Sequence, residues 1–403
     1  MPIPVSSGLD ELVSTSFAAI RGMNIAILAN QASVASDYTH LVDLIHSSGR
    51  ATIATLFAPE HGFRGALQDM AEVGNTVDRK TGLQVISLYG TTETSLTPSP
   101  EQLSRVDALV VDLPDIGTRY YTFAQSLGYC MKVAAQTGTK IIVLDRPNPI
   151  DGTTIEGCSL EVGCRSFCGY APVPQRHGLT IGELALLMNR GFGAAGEEVP
   201  PLGCDLEIVQ CRGWNRSQYA DQTGLPWVIP SPNMPTLDTA IVYPGGCLFE
   251  ATTASEGRGT TRPFEFLGAP GIDSELWIAE VRNQGLELEG AHLRSHSFQP
   301  KFQKCHNQIC NGVQLHVTDR ARFKPLRWGL ALLAALRRTH PEQCAWRSDA
   351  YEFVSSVPAI DLLYGSKRFR TLVDSSAGLA PIESELQSYE NNFRQTRQEF
   401  LLY

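Results

Sequence analysis

Five short apolar runs decide what this chain can fold into. Residues 23–29, 51–58, 85–88, 108–111 and 140–144 are each apolar or β-branched, and helical stretches fall between them at 41–46 and 124–135. Strand signals alternating with helix signals predict βαβ units and a mostly parallel sheet. Each run ends at its carboxyl side in polar or conformationally special residues. These are Asn30-Gln31, Pro59-Glu60-His61, Tyr89-Gly90, Asp112-Leu113-Pro114-Asp115 and Asp145-Arg146-Pro147-Asn148. Ligands of open α/β sheets lie beyond the carboxyl ends of the strands. The pattern that sets the fold therefore also marks an edge for chemistry.

The second run says most. Ala51 to Ala58 reads as a strand buried on both faces. Pro59 then ends the ladder, and Glu60, His61 and Arg64 follow in one tight loop with Gly62 and Gly65. Elsewhere, Thr180 and Glu183 form a T-x-x-E capping box ahead of an apolar stretch, so Glu183 reads as a helix cap. A last strand is expected at 206–209. The Pro- and Gly-rich stretch 225–270 reads as an irregular crossing into a second domain. That domain is expected to hold a helix near 273–284, a strand near 312–318, a helix at 325–338 and a final helix over 385–403. The expected fold is α/β: a Rossmann-like, mostly parallel sheet with helices on both faces over 1–245, and a smaller α+β domain over 246–403.

A chain of 403 residues can bury a large core. The formal net charge of −9 argues against a general nucleic-acid or anionic-membrane surface. No apolar run approaches the roughly 20 residues that span a bilayer, so no membrane insertion is expected. The start, MPIPVSSGLDELV, lacks the basic and apolar regions of a secretory leader. As written the protein is expected in the cytoplasm, and in the periplasm or outside the cell only if a leader has been removed. The ten cysteines show no C-x-x-C spacing and are expected to be reduced thiols rather than metal ligands. Gly191-Phe-Gly193-Ala-Ala-Gly196 matches G-x-G-x-x-G, but it follows a helix and precedes Val199-Pro200-Pro201. A dinucleotide site needs strand, turn and helix in that order, so this is a helix C-terminal loop. No cofactor and no metal are expected.

What remains are carboxylates, arginines and amides: Glu60, His61, Arg64, Asp112, Asp115, Arg119, Asp145, Arg146, Asn148 and Glu156, then His177, Asn233, Glu250, Glu256 and Arg258. Glycoside hydrolysis needs a protonated carboxyl near the leaving oxygen, usually with a second carboxylate opposite. Glu60, after a buried strand and a proline, suits the acid role. Asp112 and Asp115 flank a proline turn and have two readings, site carboxylates or caps of the next helix. Arg146 either clamps a carboxylate or pairs with Asp145. Tyr120 and Tyr121 either stack on a sugar or pack as wall.

Taken together, LFAPEHGFRG, TGLQVISLYG, VDLPDIGTRYYTF, VLDRPNPIDG, IEG, RHGLTIGELA, PWVIPSPNMPT, LFEATTASEGRGTTRPFE and the closing FLLY resemble the NamZ-type exo-β-N-acetylmuramidases (DUF1343, glycoside hydrolase family 171). The motifs run from about Asn30 to the C-terminus. The resemblance implies a cleft between the two domains. It implies release of N-acetylmuramic acid from the non-reducing end of peptidoglycan fragments, MurNAc-GlcNAc glycans. It carries over Glu60 as the catalytic acid; beside it His61 is expected to tune or position that acid, and Glu156, close after the fifth strand, is the expected second carboxylate. Arg64, Asp112, Asp115, Arg119, Tyr121, Arg146, Asn148, His177, Asn233, Glu250 and Arg258 are the expected substrate-binding residues. One or more of Arg64, Arg119, Arg146 and Arg258 should hold the lactyl carboxylate that sets this sugar apart. Pro114 departs from the glutamine common in relatives, and Glu72 is displaced by one position. Two rivals stand beside this reading: a non-catalytic muropeptide-binding module, and a nucleotide-dependent enzyme on the same sheet.

Overall fold

The computed structural model of the chain describes residues 4–63, 76–90, 92–194 and 197–403. Its first half supplies β1 (Asn24–Ala29), β2 (Thr52–Ala58), β3 (Thr76–Val77), β4 (Gln84–Ser87), β5 (Ala108–Asp112), β6 (Lys140–Leu144), a β7–β8 hairpin (Phe192–Ala194 and Glu197–Val199) and β9 (Leu206–Val209). All but the hairpin join one seven-stranded sheet in the order β3-β4-β2-β1-β5-β6-β9. Every pairing is parallel except the edge pair β3–β4. The five apolar runs of the sequence are five of these strands.

Strand periodicity divides the sheet's two faces. Ile25, Ile27 and Ala29 of β1 pack with Leu9 and Leu12 of α1 (Gly8–Ser14) and Leu41, Val42 and Ile45 of α2 (Leu41–Ser48). Ala26 and Leu28 face the other way, toward α4 (Thr122–Thr137) and α5 (Ile181–Arg190), with the short α3 (Pro100–Leu103) alongside. Thr180 and Glu183 cap α5 reciprocally, as their spacing predicts. Gly191 ends that helix at φ +70° and opens the β7–β8 hairpin, so its G-x-G-x-x-G lacks the strand–turn–helix setting. Burial of β2 departs from expectation: Thr52 and Ala54 are exposed, Ile53 between them is buried, and burial becomes continuous only from Leu56 to Ala58. The buried half is the half that leads to Glu60.

The stretch 225–270 is more regular than its Pro and Gly content predicts. It contains α6 (Leu237–Gly246), a 3-10 turn over Cys247–Ala251 and β10 (Phe266–Ala269). Gly245 sits in α6 because α8 (Pro325–Thr339) crosses there at backbone distance, and a Cβ on Gly246 would meet Phe264. A Cβ on Gly329 of α8 would lie 2.4 Å from the Gly245 Cα. Sequence periodicity cannot report such a crossing. β10 joins β11 (Ala291–Phe298) and β12 (Cys310–Val317) in an antiparallel sheet of order β10-β12-β11. Around α8 lie α7 (Ser274–Val281), α9 (Ala359–Tyr364), α10 (Arg368–Asp374) and α11 (Ala380–Thr396). One continuous core runs from Leu28 and Val111 of the large sheet to Leu333 of α8 and Phe393 of α11. The two sheets therefore meet across a packed seam rather than a loose hinge. No described helix is long and apolar enough to cross a membrane.

Candidate active site

The chain leaves β2 through Pro59, and a Pro59-to-Gly62 turn closes with a 3.1 Å backbone hydrogen bond. His61 and Gly62 both take positive φ, +71° and +80°. A non-glycine residue there costs of order 1 kcal/mol, and such residues cluster at functional sites. The turn aims Glu60 at the start of α4, where the Thr122 hydroxyl donates to its Oε2 at 2.8 Å. Glu60 and His61 are both buried, yet both line a narrow, polar-edged pocket.

The cavity lies where the large sheet meets the C-terminal domain. Tyr120, Tyr121, Tyr243, Phe264 and Tyr351 contribute to its wall, with Ser231 and Asn233 from the preceding loop. Tyr243 meets Phe264 edge to face at 4.7 Å and Tyr121 at 5.9 Å. These rings form a stiff apolar frame of the kind that holds a sugar ring. Burial first, and then nearby carboxylates that include Glu60, push the Tyr121 hydroxyl up, so it remains a donor at neutral pH.

Three glutamates line the cavity: Glu60, Glu250 and Glu352. The 3-10 turn after α6 delivers Glu250. Arg258 donates to its Oε1 at 2.6 Å and the Tyr351 hydroxyl to its Oε2 at 2.7 Å. Burial opposes the charge on Glu250, but these partners outweigh it and hold the carboxyl below the usual range. Arg258 also faces Glu256 at 3.4 Å and stacks over Phe264 at 5.1 Å. Sequence reasoning misses Glu352 and Tyr351. They sit in a turn closed by reciprocal 2.9 Å bonds between Tyr351 and Val354. Both central residues have positive φ, Glu352 at +45° and Phe353 at +69°. Two bulky residues in a backbone that favours Asn-Gly imply selection for the side chain rather than the turn. The available signal is an acid set between two aromatics in Tyr351-Glu352-Phe353.

Of the expected site residues, Glu60, His61, Tyr121, Asn233, Glu250 and Arg258 come together here. Arg64, like Glu72, lies outside the described residues. Glu156 does not join them. It is buried against Arg176 at 3.3 Å, accepts from the Leu326 backbone at 3.2 Å and faces Arg327 at 3.9 Å. It ties the first domain to α8 and is no partner for Glu60. Arg119 is a buried staple, donating to the carbonyls of Cys158, Val173, Leu363 and Tyr364. Asn148 is likewise spent on the Leu179 carbonyl and the Ile150 amide.

Asp112 and Asp115 do not cap α4, whose start has no side-chain cap. Asp112 is held bidentately by Arg146, at 2.5 and 2.8 Å. Asp145 instead takes Thr180, Gly182 and Tyr403. Asp115 accepts from the Gly117 amide at 2.7 Å and lines, with Arg146 and Trp227, a separate proline-walled crevice beyond β1 and β5. His177 lies 3.7 Å from it.

Burial pushes the Asp115 carboxyl up to about 7, against the Gly117 and Ile116 amides. Glu156 is raised by burial to about 7 despite Arg176 and Arg327. Both folded values lie above the ordinary carboxyl range, so this stability is present at low pH and is lost as pH rises through about 7. Burial, then Arg397, holds His177 down to about 3, which opposes the trend below its ordinary value of 6.5. The melting temperature is therefore expected to rise as pH falls from about 8 to about 6.5. Asp115→Asn should flatten part of that slope, as differential scanning fluorimetry across that range would read.

The comparisons agree with this geometry. Residues 25–238 match the family model "Exo-beta-N-acetylmuramidase NamZ, N-terminal", and residues 241–403 match its C-terminal counterpart. The chain is 40% identical over 402 residues to the peptidoglycan beta-N-acetylmuramidase NamZ of Bacillus subtilis strain 168, covering 99% of this chain and 91% of that one. Among solved structures, a DUF1343 family protein of Bacteroides fragilis NCTC 9343 superposes with a TM-score of 0.87 at 30% identity, covering both chains fully. A second from the same organism gives 0.72 at 28% identity, covering 100% of this chain and 99% of that one. Both halves match their family models in chain order, and the chain belongs to the exo-β-N-acetylmuramidase NamZ family.

Proposed function

We infer that the protein is a glycosidase that releases N-acetylmuramic acid from the non-reducing end of peptidoglycan-derived β-1,4 glycans. The observation that carries this is Glu60: a carboxyl at the end of β2, oriented by Thr122, in an aromatic-walled cavity at the domain junction. We assign Glu60 as the general acid that protonates the glycosidic oxygen as the bond to the anomeric carbon breaks. His61 shares its turn and positions it. Glu250, charged and fixed between Arg258 and Tyr351, supplies negative potential to the positively charged, oxocarbenium-like transition state. Glu352 is the carboxylate we assign to orient either the attacking water or the substrate's acetamido group.

Among the described residues Arg258 is the arginine that lines the cavity, and with Arg64, which lies outside them, it is our candidate for the lactyl carboxylate. The first strand–helix turn does not favour the nucleotide reading: Asn30 and Gln31 bind the Pro230 carbonyl there. Ten free cysteines, eight of them buried, support work in a reducing compartment.

A chromogenic N-acetylmuramide and the matching N-acetylglucosaminide test the assignment. The muramide is expected to be cleaved about tenfold or more faster, the value of one charge-assisted contact. Arg258→Gln should shrink that preference. No turnover of either would favour a binding module, and a preference for the glucosaminide would end the lactyl assignment.

A further inference from the structure

The cavity has a neighbour that the inferred reaction does not use. Glu250 and Arg258 are shared with a wider groove of about 480 Å³, whose lining includes Lys304, Arg347 and Asp349. An exo-acting enzyme that seats the terminal sugar in the aromatic cavity must pass the rest of the glycan outward. This groove adjoins the seat through the two residues that hold its fixed charge.

The cations of the groove differ in how they are committed. Arg258 is paired with Glu250 and Glu256. Lys304 binds Glu256 at 2.8 Å and the carbonyls of Phe249 and Ala254. Arg347 is different. Its guanidinium stacks on the Tyr351 ring at 5.4 Å, and among the described residues no carboxylate lies within ion-pair distance of it. Its backbone amide is fixed to the Ala251 carbonyl at 2.8 Å, on the turn that carries Glu250. A half-buried guanidinium with one face covered by an aromatic and its edge uncommitted is built to receive an anion.

We propose that this groove is the leaving-side subsite and that Arg347 binds the lactyl carboxylate of the next muramyl residue along the glycan. In an alternating glycan that carboxylate recurs on every second sugar. It would reach the groove while an N-acetylglucosamine unit spans the boundary at Glu250 and Arg258. The proposal deepens the muramidase reading and rests on it. The enzyme would then prefer chains long enough to carry a second muramyl unit.

The test compares the tetrasaccharide MurNAc-GlcNAc-MurNAc-GlcNAc with the disaccharide MurNAc-GlcNAc. A third substrate is the tetrasaccharide whose internal lactyl carboxylate is converted to a primary amide. Wild type should favour the native tetrasaccharide by about tenfold in kcat/KM, mostly through KM, the worth of one charge-assisted hydrogen bond. In Arg347→Gln that ratio should fall toward one, and the amide analogue should cost this variant nothing further, closing a double-mutant cycle. Arg347→Lys should restore part of the preference. A wild-type ratio near one, or an unchanged ratio in Arg347→Gln, overturns the subsite alone. Failure of wild type to cleave any of the three overturns the muramidase reading and the subsite with it.

Discussion

Replacing Glu60 by Gln is expected to lower turnover of a sugar-leaving substrate such as MurNAc-GlcNAc by about 10²–10⁴-fold, the usual worth of a general acid. Glutamine keeps the shape of the side chain, and its carbonyl oxygen can still accept from the Thr122 hydroxyl, so the fold should be unaffected. What it loses is the proton. The loss should therefore depend on the leaving group. A sugar alkoxide is a poor leaving group and needs protonation as the bond breaks, whereas a nitrophenolate departs largely unaided. The same variant should be impaired far less on a nitrophenyl N-acetylmuramide than on the disaccharide. Kinetics on the two substrates, with matched melting curves for both proteins, separate an acid from a residue that merely shapes the cavity. Equal impairment on both would make Glu60 a positioning group. Equal activity of variant and wild type on the disaccharide would remove it from the chemistry.

The large sheet was legible because its signals are local. An apolar run, a proline and a capping box each act within a few residues; they locate β2 and α5, and they put Glu60 at the strand end where it lines the cavity. The failures share a different cause. Asp112, Arg119, Arg146, Asn148 and Glu156 carry the same chemical groups as the residues that line the cavity, and only long-range partners tell them apart. Arg119 reaches carbonyls of Leu363 and Tyr364 in α9, and Glu156 reaches α8. Nothing near either residue in the chain announces those contacts. Glu352 escapes sequence reasoning for the converse reason. It belongs to the smaller domain, and folding alone brings it to the cavity that Glu60 enters from the sheet. α6 is hidden because Gly245 serves a helix crossing and Gly246 makes room for Phe264, rather than either making a turn.

Arg327→Met should destabilise the protein by about 3–5 kcal/mol, the cost of leaving buried carboxylates without their cation. Arg327 is fully buried in the first turn of α8. Its guanidinium reaches Glu383 at 2.9 Å, Glu390 at 2.9 and 3.2 Å, and Glu156 at 3.9 Å. Glu390 also accepts from the Gly157 amide at 3.0 Å, so one charge cluster joins the first domain, α8 and α11. Burial works against the guanidinium, yet Glu390, Glu383 and Glu156 more than offset it and hold its proton more tightly than usual. Methionine fills similar space but strands the carboxylates, which must stay charged in apolar surroundings or take up protons. With a total stability of roughly 5–15 kcal/mol for a typical domain, that loss is a large fraction of the whole. Adding Glu390→Gln to the Arg327→Met variant should recover part of it, because a neutral amide needs no cation. Urea unfolding of the single and double variants reads the coupling. At temperatures where the variant remains folded, kcat should stay within about twofold of wild type, since none of these carboxylates lines the cavity. A loss below about 1 kcal/mol would mean that water rather than Arg327 satisfies the cluster, and a fall in kcat with intact stability would return Glu156 to the catalytic apparatus.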